Sequence, residues 1–322
     1  MIAASAPGKV ILFGEHFVVK GRPSLVSALC KRVHVKISKS EDDRFTLLSP
    51  RIGVSLRVTP QRAMSLGGKL APLSALIRFF HEKFGVKPEP MRVEVESGIP
   101  VGAGLGSSAA FSAAFSLAYA AWHGIDVDLD TVMSASLEAE RVAHGKPSGV
   151  DSAIAVYGGS LLYRVGNRPE RVDIRIPEGY KLVVANTGVE RSTREVVERV
   201  LGRASLLGRA SSYVYDAAEE LVKLALEAFK GGDALLLGEL MDFNQGLLNA
   251  MGASSLIIER IVFAARSAGA VGAKLTGAGW GGSVIILVPE AEAGRVMAEV
   301  SRSGAVEVFE ANIGCEGVQL ER

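Results

Sequence analysis

Cysteine is nearly absent from this chain of 322 residues, with Cys30 and Cys315 as the whole complement. Two thiols are too few for a disulfide framework and these lack metal-ligand spacing, so a reducing interior is the default expectation. Neither sign of charge is in excess. Against 36 Lys and Arg stand 35 Asp and Glu, a net charge of +1, which argues against a nucleic-acid footprint or a polybasic membrane anchor. No apolar run reaches the roughly 18 residues that span a bilayer, and the nearest, 109–121, is broken by Ser112 and Ser116. Lys9 follows only a short, weak apolar lead, so no signal peptide is expected and the setting is read as cytoplasmic. Asn and Gln total eight, and Arg (23) outnumbers Lys (13), a depletion of thermolabile amides that hints at a thermophile. Small, local ligands are the expected partners.

What is present in quantity is apolar content, 48% of the chain, enough for substantial cores in about two domains of 100–200 residues each. Period-two alternation or β-branched residues predict strands over 33–38, 45–48, 54–58 and 91–96. Helices are predicted over 108–123 and 131–144, the second capped by Asp128 or Asp130. A short strand at 160–164 leads into a polar loop or edge hairpin over 166–178, where a boundary between domains 1–175 and 176–322 is drawn. Beyond it come a strand at 182–186 and a helix over 193–201 opened by the capping box Ser192-Thr193-Arg194-Glu195. An amphipathic helix carries Val214, Leu221, Leu224 and Phe229, helices follow over 234–251 and 255–268, and a buried-type strand covers 283–288. The intermixing of strands and helices predicts an α+β fold rather than a doubly wound sheet.

The most informative stretch is Pro100-Val101-Gly102-Ala103-Gly104-Leu105-Gly106-Ser107-Ser108-Ala109-Ala110, where three glycines alternate with small or apolar residues before two hydroxyls open an Ala-rich helix. Glycine permits positive φ and close approach of the backbone to a ligand. The first amides of the following helix have no internal partner and point outward with the positive end of the dipole behind them. An anion cradle fits this pattern, and so does a strand-to-helix turn with no ligand. It is not a P-loop, which needs a Lys before the Ser or Thr, nor a dinucleotide fingerprint, since position 107 is Ser and no acidic residue stands about 20 positions on.

Three further clusters carry polar groups in exposed-backbone or strand-end settings. Lys9 and the pair Glu15-His16 flank the apolar segment 10–13; alone, Lys9 suits a solvated strand end and His16 a packed core histidine. Glu140 lies near a helix C-terminus, where a carboxylate is unfavourable unless a cation compensates. That placement suggests a metal, while an i,i+4 pair with His144 is the simpler reading. Asp151 follows a Pro/Gly turn and suits either a cleft carboxylate or the cap of a helix over 152–157. The last cluster is Gly277-Ala278-Gly279-Trp280-Gly281-Gly282, a second glycine loop.

In order along the chain, these clusters resemble the motifs of the GHMP kinase superfamily. Gly14-Glu15-His16-Phe17-Val18-Val19-Lys20-Gly21, His144-Gly145-Lys146-Pro147-Ser148-Gly149-Val150-Asp151, Asn186-Thr187-Gly188 with Arg191-Ser192-Thr193, and Asn244-Gln245 are similar to its mevalonate kinase branch. Galactokinases continue Gly-Glu-His with Thr-Asp-Tyr, whereas Phe17-Val18-Val19 is apolar and favours a small branched acid over a sugar. The resemblance implies a ribosomal S5-like N-terminal domain, a ferredoxin-like C-terminal domain and an active site between them. It further implies ATP as phosphoryl donor on the 100–110 loop, Mg²⁺ held by Ser108 and Glu140, Asp151 as the catalytic carboxylate with Lys9 beside it, and Glu15, His16, Arg191 and Thr193 on the mevalonate side. The implied activity is phosphorylation of mevalonate for isoprenoid biosynthesis, by a homodimer that needs neither nucleic acid nor membrane. Trp280 departs from the family's run of glycines. Because a bulky residue is strained at positive φ, position 280 is expected to avoid it, with the indole beside the nucleotide or substrate cleft.

Overall fold

The computed structural model describes residues 1–145, 147–190 and 192–321. The apolar N-terminus forms two long antiparallel strands, β1 (Ile2–Phe13) and β2 (Ser24–Lys39). Their register shifts between Pro7 and Gly8, where a residue without an N–H disturbs a ladder least. β3 (Phe45–Ser49) and β4 (Val54–Val58) make a hairpin, and β5 (Met91–Ser97) lies between β2 and β3, antiparallel to the first and parallel to the second. A parallel step needs a crossover, here the single turn α1 (Pro60–Ala63) and the helix α2 (Ala71–Phe84).

All four strands expected in this region fall within the sheet. The expectation stopped short of β1's first half and of β2 before residue 33, and the reason is burial: ten consecutive β1 residues and six at the start of β2 are buried. A strand covered on both faces loses the alternation that betrays it. Helix α2 was also not anticipated, although Leu73, Leu76, Ile77 and Phe80 bury one face of it.

Helix α3 (Ser107–Trp122) packs on β1 and β2, and its Ala110, Ala113, Ala114 and Ala118 have no exposed surface. α4 (Leu129–His144) is capped by Asp128, whose side chain accepts from Thr131 N at 2.8 Å, while Asp130 sits in the first turn. α5 (Val150–Tyr157) packs on β1, and β6 (Ser160–Tyr163) pairs with both β2 and β7 (Glu170–Val172).

The second sheet is antiparallel throughout, in the order β11-β8-β10-β9, from β8 (Tyr180–Asn186), β9 (Gly272–Thr276), β10 (Ser283–Pro289) and β11 (Glu307–Glu310). Its helices are α6 (Thr193–Leu207), α7 (Arg209–Gly231), α8 (Ala234–Ala250), α9 (Leu256–Ser267) and α10 (Ala293–Arg302). The α+β class read from the sequence is the class observed.

The final strand, β12 (Gln319–Glu321), returns to the first sheet and pairs with β1. This return corrects the expectation for the cysteines. Cys30 and Cys315 form a disulfide with Cα atoms 5.5 Å apart across a sequence separation of 285. Only topology makes them neighbours: Cys30 N donates to Asn312 O at 2.9 Å, and Arg32 donates to the carbonyls of Glu316 and Gly317 at 2.8 and 2.7 Å.

Candidate active site

The 100–110 loop leaves β5 and opens α3. Gly102, Gly104 and Gly106 stand at φ 69°, 71° and 79°, left-handed values that glycine adopts without steric cost. Between them Ala103 and Leu105 are buried and anchor the loop, while Ser108 is exposed. No side chain caps α3, and Ala110 N is bonded to Gly106 O at 3.0 Å. The amides of residues 107–109 lack an intrahelical acceptor and offer themselves to an anion.

The loop is joined to β1. Lys9 N donates to Leu105 O at 2.9 Å, and a Cβ at Gly106 would stand 2.7 Å from Lys9 Cγ. Glycine there lets the Lys9 side chain run past the cradle. A Cβ at Gly102 would stand 2.8 Å from Glu190 Cγ, so a segment from the second half of the chain closes on the other end.

Lys9 Nζ lies 3.1 Å from Asp151 Oδ1, the lysine side chain 5% exposed and the carboxylate 33%. The pair is thus sunk on its cationic side and open on its acidic side. Asp151 is not the helix cap; Gly149, at φ 80°, holds that position and Asp151 falls in the first turn of α5, where the helix dipole favours a carboxylate. From the next residue, Ser152 Oγ donates to Glu140 Oε2 at 2.7 Å. Burial above all, then the charge of Asp151, pushes the Glu140 carboxyl up to about 7, against the opposing effects of Ser152 and Lys9.

A carboxylate short of counter-charge in this way is suited to a cation. Glu140 and the Ser108 hydroxyl are hard oxygen donors of the kind Mg²⁺ takes, which keeps several waters and draws its other ligands from phosphates rather than a protein cage. No cluster of three His, Cys, Asp or Glu side chains suited to a metal is found among the described residues. His144's side chain lies outside what is described, so the alternative pairing with Glu140 goes no further; Glu138 and Arg141 do pair, at 3.0 Å.

Glu15 and His16 occupy the turn after β1, both buried. Glu15 accepts from Asn244 Nδ2 at 3.1 Å and forms an ion pair with Lys274, a residue of β9 with no exposed surface. Lys274 also donates to Leu275 O at 2.8 Å, and burial draws its pKa down while Glu15 resists. This lysine was missed by sequence reasoning, although a lone cation inside the apolar run of β9 was the available signal. His16 Nε2 is 2.7 Å from Ala278 O, and Thr276 Oγ1 accepts from Ile11 N at 2.9 Å, so β1 and its turn are fastened to β9 and the second glycine loop. Thr193 is exposed at the start of α6, where the expected cap forms: Ser192 Oγ accepts from Glu195 N at 3.3 Å. Arg191 lies outside the described residues.

Trp280 requires a correction. Its φ is 58°, and among the described residues it is the sole non-glycine with positive φ. Such a conformation costs on the order of 1–3 kcal/mol and persists where surroundings over-determine it. Here Trp280 N donates to Ala253 O and the indole Nε1 to Gly252 O, each at 2.9 Å.

Two family models match the chain: the GHMP kinases N terminal domain over residues 72–159 and the GHMP kinases C terminal over residues 225–306. The chain is 48% identical over 321 residues to the mevalonate kinase of Aeropyrum pernix, covering 99% of this chain and 98% of that protein. It is 32% identical to the mevalonate kinase of Thermococcus sibiricus, covering 99% and 98%. Among solved structures it is similar to L. major mevalonate kinase in complex with R-mevalonate, with a TM-score of 0.78, 26% identity, and 97% of this chain and 96% of that one covered. The Methanococcus jannaschii mevalonate kinase matches with a TM-score of 0.84, 25% identity and coverage of 97% and 98%.

Proposed function

The chain belongs to the GHMP kinase family, and on that premise we propose that it transfers the γ-phosphoryl group of ATP to the 5-hydroxyl of mevalonate, giving 5-phosphomevalonate and ADP in isoprenoid biosynthesis. The observation that carries this reading is the Lys9–Asp151 pair at 3.1 Å, with Lys9 also lying against Gly106 of the cradle.

Phosphoryl transfer asks a protein for in-line positioning and charge neutralisation more than for covalent chemistry. In this proposal the backbone of 100–110 receives the triphosphate, and Ser108 and Glu140 hold Mg²⁺. The metal supplies charge neutralisation on the phosphoryl oxygens when bound. Asp151 accepts the proton of the attacking hydroxyl from the open side of its ion pair. Lys9 pairs with Asp151 and adds positive charge where the phosphoryl group passes. Glu15, His16, Arg191 and Thr193 make up the mevalonate side, with residues 1–175 carrying the ATP and Mg²⁺ site and 176–322 contributing Arg191 and Thr193 to the substrate site. Among the described residues no helix is long and apolar enough to cross a membrane. The family resemblance supports a cytoplasmic homodimer as the working form.

The test is ADP release from Mg-ATP with mevalonate, phosphomevalonate, galactose and homoserine, each against a substrate-free control. Turnover with mevalonate alone sustains the proposal; turnover with another acceptor overturns the acceptor while leaving a kinase. Asp151→Asn should lower kcat by about 10²–10⁴-fold, the usual range for a general base, with nucleotide affinity retained in a binding titration.

A further inference from the structure

Trp280 stands where the family commonly has glycine, and this chain holds it in a backbone conformation that glycine would adopt freely. Its surroundings explain how. Besides the two hydrogen bonds to the 252–253 connector, the Arg199 guanidinium lies over the indole, 4.8 Å from the ring centroid. One turn further along α6, Arg203 lies against Gly252, where a Cβ would come within 3.3 Å of its Cδ. Arg199 and Arg203 therefore share one face of α6, and that face rests on Trp280 and on the carbonyl-bearing residue to which the indole donates.

The loop pinned in this way is fastened at two further points, to His16 and to Val189. Ala278 O bonds His16 Nε2 at 2.7 Å, and Gly282 N donates to Val189 O at 3.2 Å. Helix α6 itself begins at Thr193. The 277–282 loop thus reaches the His16 turn and Val189 through its backbone, and the Trp280 side chain ties that loop to the second turn of α6.

We propose that Trp280, clamped by Arg199, is a positioning residue for the acceptor alcohol: by holding the 277–282 loop against α6 it fixes the spacing between that helix and the His16 turn, and so governs mevalonate affinity without governing nucleotide affinity. The inference rests on mevalonate being the acceptor. Its test is steady-state kinetics of the full chain with Mg-ATP and mevalonate for Trp280→Gly, Trp280→Phe, Arg199→Ala and Arg199→Lys.

Trp280→Gly should raise the KM for mevalonate about tenfold, the loss of a hydrogen bond and a cation–π contact together. The KM for ATP and kcat should stay within about twofold, because neither of the lost contacts is made to the cradle. Trp280→Phe and Arg199→Ala should each give about a threefold rise, and Arg199→Lys should stay near wild type because an ammonium still sits over the ring. If Trp280→Gly does not fold, Trp280→Phe carries the test.

Trp122 is the one other tryptophan in the sequence, so in a Trp122→Phe background the emission reports on Trp280 alone. Mevalonate should shift that emission and ATP alone should not. A parallel rise in both KM values, or an unchanged mevalonate KM in all variants that fold, overturns the proposal. If the wild type phosphorylates a different acceptor, the proposed function fails separately, and the clamp is judged by the same KM split on that acceptor.

Discussion

The chain carries two glycine-rich loops of similar composition, 102–106 and 277–282, whose glycines answer to different neighbours. In the first, an added Cβ would meet the ends and stems of side chains: Glu190 Cγ at 2.8 Å from Gly102, Lys9 Cγ at 2.7 Å from Gly106. In the second it would meet main chain, with Ala253 O at 1.9 Å from Gly279 and Val189 O at 2.5 Å from Gly281. The first loop uses glycine to turn left-handed and to admit a lysine beside it. The second uses glycine so that backbone can pack on backbone, and it can host Trp280 at positive φ because that residue's amide and indole N–H groups are both engaged nearby. Glycine spacing alone does not separate these roles; what each missing Cβ would touch does.

The comparison can be broken most severely at Gly279. Gly279→Ala forces a Cβ into a carbonyl at a φ of 85°, and the cost should exceed about 4 kcal/mol, lowering Tm by roughly 10 °C or more in a thermal melt. A drop of only a degree or two would mean that the second loop yields as easily as the first. Gly106→Ala should divide stability from turnover. The left-handed φ costs about 1–2 kcal/mol, whereas displacement of Lys9 from Asp151 should reduce kcat about 10²-fold. Equal stability losses at Gly106 and Gly279 would erase the distinction.

Ser283→Ala probes the link between the two loops, since its Oγ donates to Ala103 O at 2.9 Å in a buried setting. Loss of that bond should cost about 1 kcal/mol in denaturant unfolding, the smallest of the three effects. No measurable change would show that the loops are held independently.

Legibility in the sequence followed physical range. The glycine turn that opens α3, the α4 and α6 caps and the half-wet strands were readable because each depends on a handful of consecutive residues. Asp128 caps Thr131, and the alternation of β5 reports one wet face directly. The first half of β1 and the start of β2 were not readable, because burial on both faces removed their period. Trp280 was misread for a related reason: the rule that bulky residues avoid positive φ is local, and the hydrogen bonds that overrule it come from Gly252 and Ala253, in the turn between α8 and α9.

By itself the sequence determined the local chemistry: where the backbone could turn left-handed, where helices could begin, and which titratable groups stood at the ends of apolar segments. Tertiary structure decided which of those groups meet. Lys9 with Asp151, Glu15 with Lys274 and Cys30 with Cys315 are pairings across the fold. Charges and thiols interact over a few ångströms of space, and distance along the chain says nothing of which strands become neighbours until sheet order and the return of β12 are in place.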